Sequence, residues 1–274
     1  TMARSSSSRD ISFDTDFGVA RIRWDGPRAT LFLGEVESSA VDTSDPTYLE
    51  FEYMQHMDAV VSSLWGPQDR FRALHVGGAA CALACAWSSS HSQSCHVAVE
   101  VDRLLAEQVR KHFPIPKAPQ VKIRVGDGRA VLDGAREGSF DVIVRDAFAS
   151  GVTPDHLRTV ECADRARRSL TASGVYLVNC AHGGPANARQ DVAALQEVFP
   201  FVASIQDPKV GRGGRRGNVV ALASAADIVD VDQIDRALRM LALPARITRP
   251  ADLARWVAGT PALTDTQVGY PPAD

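Results

Sequence analysis

FRALHVGGAACALACAW (71–87), followed after a Ser/His-rich gap by CHVAVEVD (95–102), is the stretch that decides how this chain reads. The first part runs from an apolar strand through Gly77-Gly78 into a helix of small residues. The second is another apolar strand, ending in acid. In an open α/β sheet such a unit makes a nucleotide pocket. Gly77 and Gly78 let the backbone approach a ligand closely, or form no more than a tight turn. An acid at the end of the second strand can accept hydrogen bonds from both ribose hydroxyls. Glu100 or Asp102 stands in that position.

Working outward, strand and helix patterns alternate. Strands are predicted over 71–77, 96–101, 121–125, 140–145, 174–179, 201–206 and 217–223. Helices are predicted over 79–87, 103–112, 128–136, 154–169, 187–198 and 231–241. Apolar strands interleaved with amphipathic helices make a mainly parallel sheet covered on both faces. The last two strands flank KVGRGGRRGN (209–218), which suits an antiparallel hairpin. The expected fold class is α/β, and it resembles the Rossmann-like sheet of S-adenosylmethionine-dependent methyltransferases, with a small N-terminal β region. That region spans 11–45, where VARIRW (19–24) and ATLFLGEV (29–36) surround the turn signal Asp25-Gly26-Pro27. Residues 1–10 read as a disordered tail and 46–274 as the main domain. A helix is predicted over 46–65, opened by Asp45-Pro46 and stopped by Gly66-Pro67.

Composition excludes several classes of partner. Thirty basic residues against 33 acidic ones leave a formal charge of -3, so no global field favours nucleic acid or anionic lipid. No apolar run is long enough for a membrane span, and TMARSSSSRD lacks the apolar core of a signal peptide. The five cysteines (Cys81, Cys85, Cys95, Cys162 and Cys180) include no CxxC pair and read as reduced packing residues. A cytoplasmic protein without nucleic-acid or membrane partners is expected. The seven histidines show no metal-ligand spacing, so no metal is expected. His182, after the fifth parallel strand, lies on the side where substrate binds. The RGGRRG run (212–217) reads as a solvated turn rather than an RNA contact, since no aromatic residues interleave it.

Ligands bind outside the carboxyl ends of strands in such a sheet, and acids gather there. Glu100 ends the second strand, Asp127 the third within Gly126-Asp127-Gly128, and Asp146 the fourth within Arg145-Asp146-Ala147-Phe148. Asp127 can accept from an adenine amino group, or cap the helix that follows. Asp146 is placed to reach the reactive end of the ligand, or pairs with Arg145 or caps a turn.

These pieces, in this order, resemble the spermidine synthase (polyamine aminopropyltransferase) family: HVGG (75–78), VEVD (99–102), GDGRAVL (126–132) and FDVIVRDAF (140–148). The resemblance covers roughly residues 15–225. It implies that Gly77, Gly78, Glu100, Asp127 and Gly128 hold decarboxylated S-adenosylmethionine or S-adenosylmethionine as co-substrate, with Glu100 on the ribose and Asp127 on the adenine. It implies that Asp146 helps take a proton from the attacking amine, a small-molecule substrate. The family's Tyr-x-Glu helix looks like Tyr48-Leu49-Glu50, which assigns Tyr48 and Glu50 to substrate binding. A homodimer is implied as well.

Two positions depart from the family pattern. Its strand-one loop carries an acid where this chain has Ala80, and its strand-four loop a second Asp where this chain has Ala149. Both of those acids hold cationic groups. The readings that follow are an aminopropyltransferase-like enzyme, a methyltransferase on the same scaffold, or a non-catalytic nucleoside-binding homologue.

Overall fold

Alternating side chains in the first forty residues build an antiparallel sheet in the order β1-β2-β3-β4: β1 (Arg9–Thr15), β2 (Gly18–Asp25), β3 (Arg28–Leu33) and β4 (Val36–Asp42). The structure, a computed structural model, describes residues 9–149, 151–207, 209–210, 215–226 and 229–271. The β2–β3 turn is Gly26-Pro27, with Asp25 opposite Arg28 and Gly26 at φ +59°. The hairpin signal therefore reads through directly. Strand β1 begins at Arg9, so Arg9 and Asp10 belong to the sheet and not to the expected tail, whose residues 1–8 lie outside the described ones. Ala20, Ile22, Ala29, Leu31 and Val41 form the buried face and join the main core.

Helix α1 runs Glu52–Leu64, six residues shorter at its start than the expected 46–65. The cause is local. Asp42 accepts from Ser44 and Asp45, and Asp45 accepts from Thr47, so side chains hold 42–48 in successive turns that compete with helix. Tyr48 and Glu50 thus sit in the lead-in to α1, not on it.

The second sheet has the order β12-β10-β11-β9-β8-β5-β6-β7. Its elements, in chain order, begin with β5 (Arg72–Val76), α2 (Ala82–Ser90), β6 (Cys95–Glu100), α3 (Arg103–His112), β7 (Val121–Val125), α4 (Gly128–Asp133) and β8 (Phe140–Arg145). They continue with α5 (Val160–Ser169), β9 (Leu170–His182), α6 (Ala188–Val198), β10 (Phe201–Gln206) and β11 (Gly217–Ser224). The chain ends with α7 (Val231–Arg239), β12 (Arg246–Thr248), α8 (Pro250–Val257) and α9 (Asp265–Val268). Strands β7, β6, β5, β8 and β9 run parallel, and β11 enters antiparallel between β9 and β10. This is the expected Rossmann-like, methyltransferase-type sheet with a small N-terminal β region.

Boundaries move where side chains intervene. Helix α2 starts at Ala82 rather than 79, because Ala79 and Cys81 take positive φ. It runs on to Ser90, with the Ser88 and Ser90 hydroxyls donating to the Cys85 and Ala86 carbonyls. The expected helix over 154–169 breaks into a 3-10 turn (Asp155–Leu157) and α5, capped by Thr159.

The N-terminal sheet is tied to the main domain by carboxylates at a helix end. Asp16 accepts from the amides of Arg103 (2.7 Å) and Leu104 (3.2 Å), while Asp102 caps α3 at Leu105 and also accepts from the Asp16 amide. These bonds satisfy donors that a helix start otherwise leaves free. Asp102 is thereby spent on architecture, and Glu100 remains for the site. Among the described residues no helix is long and apolar enough to cross a membrane.

Candidate functional site

The carboxyl ends of β5, β6, β7 and β8 open onto one cavity of about 640 Å³. Strand ends supply one side of it: Gly77, Gly78, Glu100, Asp127 and Gly128 all line it. The end of β3, the first half of β4, the start of α1, the loop after β8, the end of β9 and the β10–β11 link supply the rest. The sites expected at separate strand ends are therefore brought together.

Each of these residues has a local reason for its identity. A Cβ on Gly77 would overlap the backbone carbonyl of Asp146, and Gly77 itself sits at φ +90°. Only glycine lets the two strand-end loops meet. Gly128 packs against Val76, so its missing side chain serves the fit of α4 on β5 as well as the cavity wall. Glu100 accepts from the Ala79 amide through Oε2 and from the Asp102 amide through Oε1, both at 3.0 Å. The acid is thus locked to the strand-one loop, and burial raises its pKa.

Asp127 is the N-cap of α4, its Oδ1 accepting from the Ala130 amide at 2.9 Å. Its Oδ2 lies 2.9 Å from His156 Nε2. That hydrogen bond holds the Asp127 carboxyl below its ordinary range. His156 in turn stacks on Tyr270, over which the Arg129 guanidinium also lies. Asp127 serves the helix, as the capping alternative had it, while still lining the cavity.

Asp146 forms the floor. Its Oδ2 accepts from the Tyr53 hydroxyl and its Oδ1 from the Asn179 amide, both at 2.8 Å. Burial raises its pKa, while the bonds from Asn179 and Tyr53 and the charge of Arg145 work against the rise. A carboxylate so placed is held in one orientation and stays closer to neutrality as a base than an exposed Asp. Arg145 does not pair with Asp146, as the simpler alternative supposed. Its guanidinium turns away and pairs with Asp191 at 2.7 Å.

The expected substrate residues need correction. Tyr48 and Glu50 bond to each other in the turn before α1, Tyr48 lies against the Arg28 guanidinium, and neither lines the cavity. Tyr53, one turn into the helix, takes the position facing Asp146. It had no place among the expected site residues. Asn179 was also missed, although a lone amide in the apolar run VYLVNC has to find a partner. His182 meets Trp256 rather than the cavity. Of the Arg/Gly-rich link, 211–214 lie outside the described residues, while Arg215 and Arg216 line the cavity. No metal-holding group of His, Cys, Asp and Glu side chains occurs among the described residues.

The strand-one loop carries strain. Ala79 at φ +37° and Cys81 at φ +58° occupy a region that costs an L-residue roughly 1–2 kcal/mol. Glycine relieves that cost but adds roughly 0.5–1 kcal/mol of chain entropy. Ala79→Gly is expected to stabilise the protein by about 0.5–1 kcal/mol, read as a rise in Tm of ~2 °C. A lower Tm would show that the loop is not strained at this residue.

Comparison with known proteins follows the same lines. A probable spermidine synthase from Corynebacterium glutamicum ATCC 13032 superposes with a TM-score of 0.85 at 31% identity, over 93% of this chain and 96% of its own. The chain belongs to the spermidine synthase family. The polyamine aminopropyltransferase of Vibrio vulnificus (strain CMCP6) is 27% identical over 121 residues, 42% of this chain and 39% of that protein. The chain thus matches about two fifths of that curated relative's length. A spermidine synthase in complex with the transition state analogue AdoDATO shares the fold, with TM-score 0.61 and 16% identity over 95% of this chain and 88% of its own. No family model matches the chain.

Set against the family pattern, the departure at Ala80 acquires a geometry. Ala80 has no exposed surface and does not line the cavity; it borders a second one of about 440 Å³ between α2, β4 and the 113–116 loop. Ala79 is the loop residue that faces the site. Ala149 does line the cavity, so no carboxylate stands there to receive a second cation.

Proposed function

We propose that the cavity binds decarboxylated S-adenosylmethionine and that the chain transfers its aminopropyl group to a small-molecule amine. The observation that carries this reading is Asp146, a half-buried residue that lines the cavity, its carboxylate held by Tyr53 and Asn179 beside Glu100 and the Gly77-Gly78 turn. Family membership and the relatives' names support it.

The chemistry needs such a group. A free amine with pKa near ~10 is mostly protonated and must lose a proton to attack. Asp146 orients the amine and accepts that proton. The amine nitrogen bonds to the aminopropyl carbon next to sulfur, the carbon–sulfur bond breaks, and its electron pair returns to sulfur. A sulfonium thus becomes a neutral thioether, 5'-methylthioadenosine. Positive charge leaves the sulfur during the step, and apolar lining from Val76, Phe51, Phe148 and Leu157 favours its loss.

A second reading, methyl transfer from intact S-adenosylmethionine, has one observation in its favour. Arg215 and Arg216 line the cavity, and a guanidinium suits the carboxylate that only the intact molecule carries. Titration calorimetry with decarboxylated S-adenosylmethionine, S-adenosylmethionine and 5'-methylthioadenosine separates the readings. Tighter binding of the decarboxylated form is expected. A preference for S-adenosylmethionine transfers the site to methyl chemistry, and binding of none of the three sinks both enzyme readings.

A further inference from the structure

Arg145 ends β8 one position before Asp146, and only 3% of it is exposed. Neighbours along a strand point to opposite faces, so its guanidinium lies behind the cavity floor. There it donates through Nη1 to the Leu157 carbonyl (3.0 Å) and through Nη2 to the Asn179 carbonyl (3.3 Å). Both of those residues line the cavity, and Asn179 is the one that holds Asp146. The same Nη2 pairs with Asp191 of α6 at 2.7 Å.

Charge at this cluster does not balance. Asp191 also receives Arg158, through Nη2 at 3.0 Å, so one buried carboxylate serves two guanidinium groups. The other charged partner of Arg158 is Asp155, whose side chain is 60% exposed and therefore screened by water, and its remaining bonds go to the neutral Asn187 carbonyl and Gln190 side chain. Arg145 Nε is buried with no hydrogen-bond partner among the described residues. Stability gives little reason for the arrangement, since buried ion pairs are often replaced by apolar side chains at no loss.

We propose that Arg145 is a positioning residue for Asp146: its guanidinium pins the ends of β8 and β9 and the 155–157 turn around the cavity floor, and its incompletely offset charge favours the carboxylate form of Asp146. This supplies the base of the proposed transfer with its charge, and its purpose rests on that reading. The other groups around Asp146 do not substitute for it. Tyr53 and Asn179 touch Asp146 but are neutral. Glu37 on β4, Glu52 and His56 on α1, Glu100, Asp127, and Asp207 with Arg215 and Arg216 share the cavity, but the side-chain hydrogen bonds to Asp146 among the described residues come from Tyr53 and Asn179.

The test titrates Asp146 in the full chain without substrate, by the ¹³C shift of its side-chain carboxyl, identified as the resonance lost in Asp146→Asn. In Arg145→Met the midpoint is expected to rise by about one pH unit, a tenfold change in proton affinity. In Asp191→Asn, which leaves Arg145 in place but removes its counter-charge, the midpoint is expected to fall. Opposite shifts are the signature of charge, and a purely structural role produces neither. An unmoved midpoint in either folded variant overturns the proposal. Failure of both variants to fold overturns it equally, by reducing the cluster to a structural one. Because no ligand is present, a negative result here leaves the calorimetric test of nucleoside binding untouched.

Discussion

Asp146→Asn is expected to lower aminopropyl transfer about 10³-fold while leaving affinity for 5'-methylthioadenosine within about twofold. The side chain keeps its shape and loses only the ability to take a proton. The site also has a way to accept the new amide. Asn179 Oδ1 is buried without a partner among the described residues, while its Nδ2 donates to Asp146 Oδ1. Rotation of the Asn179 amide by a half turn presents that idle oxygen to the new NH₂ group. Tyr53 can still donate to the other side-chain atom. Folding is therefore undisturbed, and the loss is chemical. Steady-state turnover and calorimetry on the same preparation check this. Activity within tenfold of the parent shows that another group takes the proton, and a lost nucleoside affinity makes Asp146 a binding residue.

The second large effect is expected in acid. His75 Nε2 lies 3.1 Å from His96 Nδ1, and His96 Nε2 lies 2.8 Å from the Ser94 hydroxyl, under the rings of Phe71 and Trp87. The two histidines are 4% and 1% exposed. Burial pushes His75 down to about 3 and, with help from the neighbouring histidines, His96 down to about 2. Both are therefore neutral in the fold but titrate near 6.5 in the unfolded chain. A folded pKa below the unfolded one gives stability that is present above pH 6.5 and lost as pH falls. Each group gives up about 1.4 kcal/mol per unit, so from pH 6.5 to 4.5 the pair costs about 5 kcal/mol. That is comparable to the whole stability of an ordinary domain. Urea unfolding at a series of pH values should show the fall. The double variant His75→Leu/His96→Leu removes both partners together, and Ser94 keeps its bond to the His91 carbonyl. Its pH slope should be shallower, and an unchanged slope would acquit the pair.

Much of the scaffold was legible because its signals are local. Strands over Val121–Val125, Phe140–Arg145 and Phe201–Gln206 and the helix Arg103–His112 fall where they were expected. Continuous apolar runs bounded by turns mark the strands, and amphipathic periodicity marks the helix, whereas the Asp102 cap emerged only from the structure. Beyond residue 241 no element was anticipated, because β12, α8 and α9 are short and owe their places to partners elsewhere. Asp265, for instance, is bound by the Arg129 fork at 2.9 and 2.5 Å, 136 residues away in the chain.

The same division runs through the site. Sequence alone determined that Gly77, Gly78, Glu100, Asp127 and Asp146 would gather at one edge, since successive parallel strands deliver their carboxyl ends to a common face. Tertiary structure decided what each does there. Tyr53 reaches Asp146 across 93 residues and Asn179 across 33, while Tyr48 and Glu50 were diverted by turns. Ala80 faces a different cavity, and Arg145 found its partner in Asp191 rather than next door. Periodicity places a residue on a strand or a helix. Which group it touches depends on the packing of distant elements, and no local pattern carries that information.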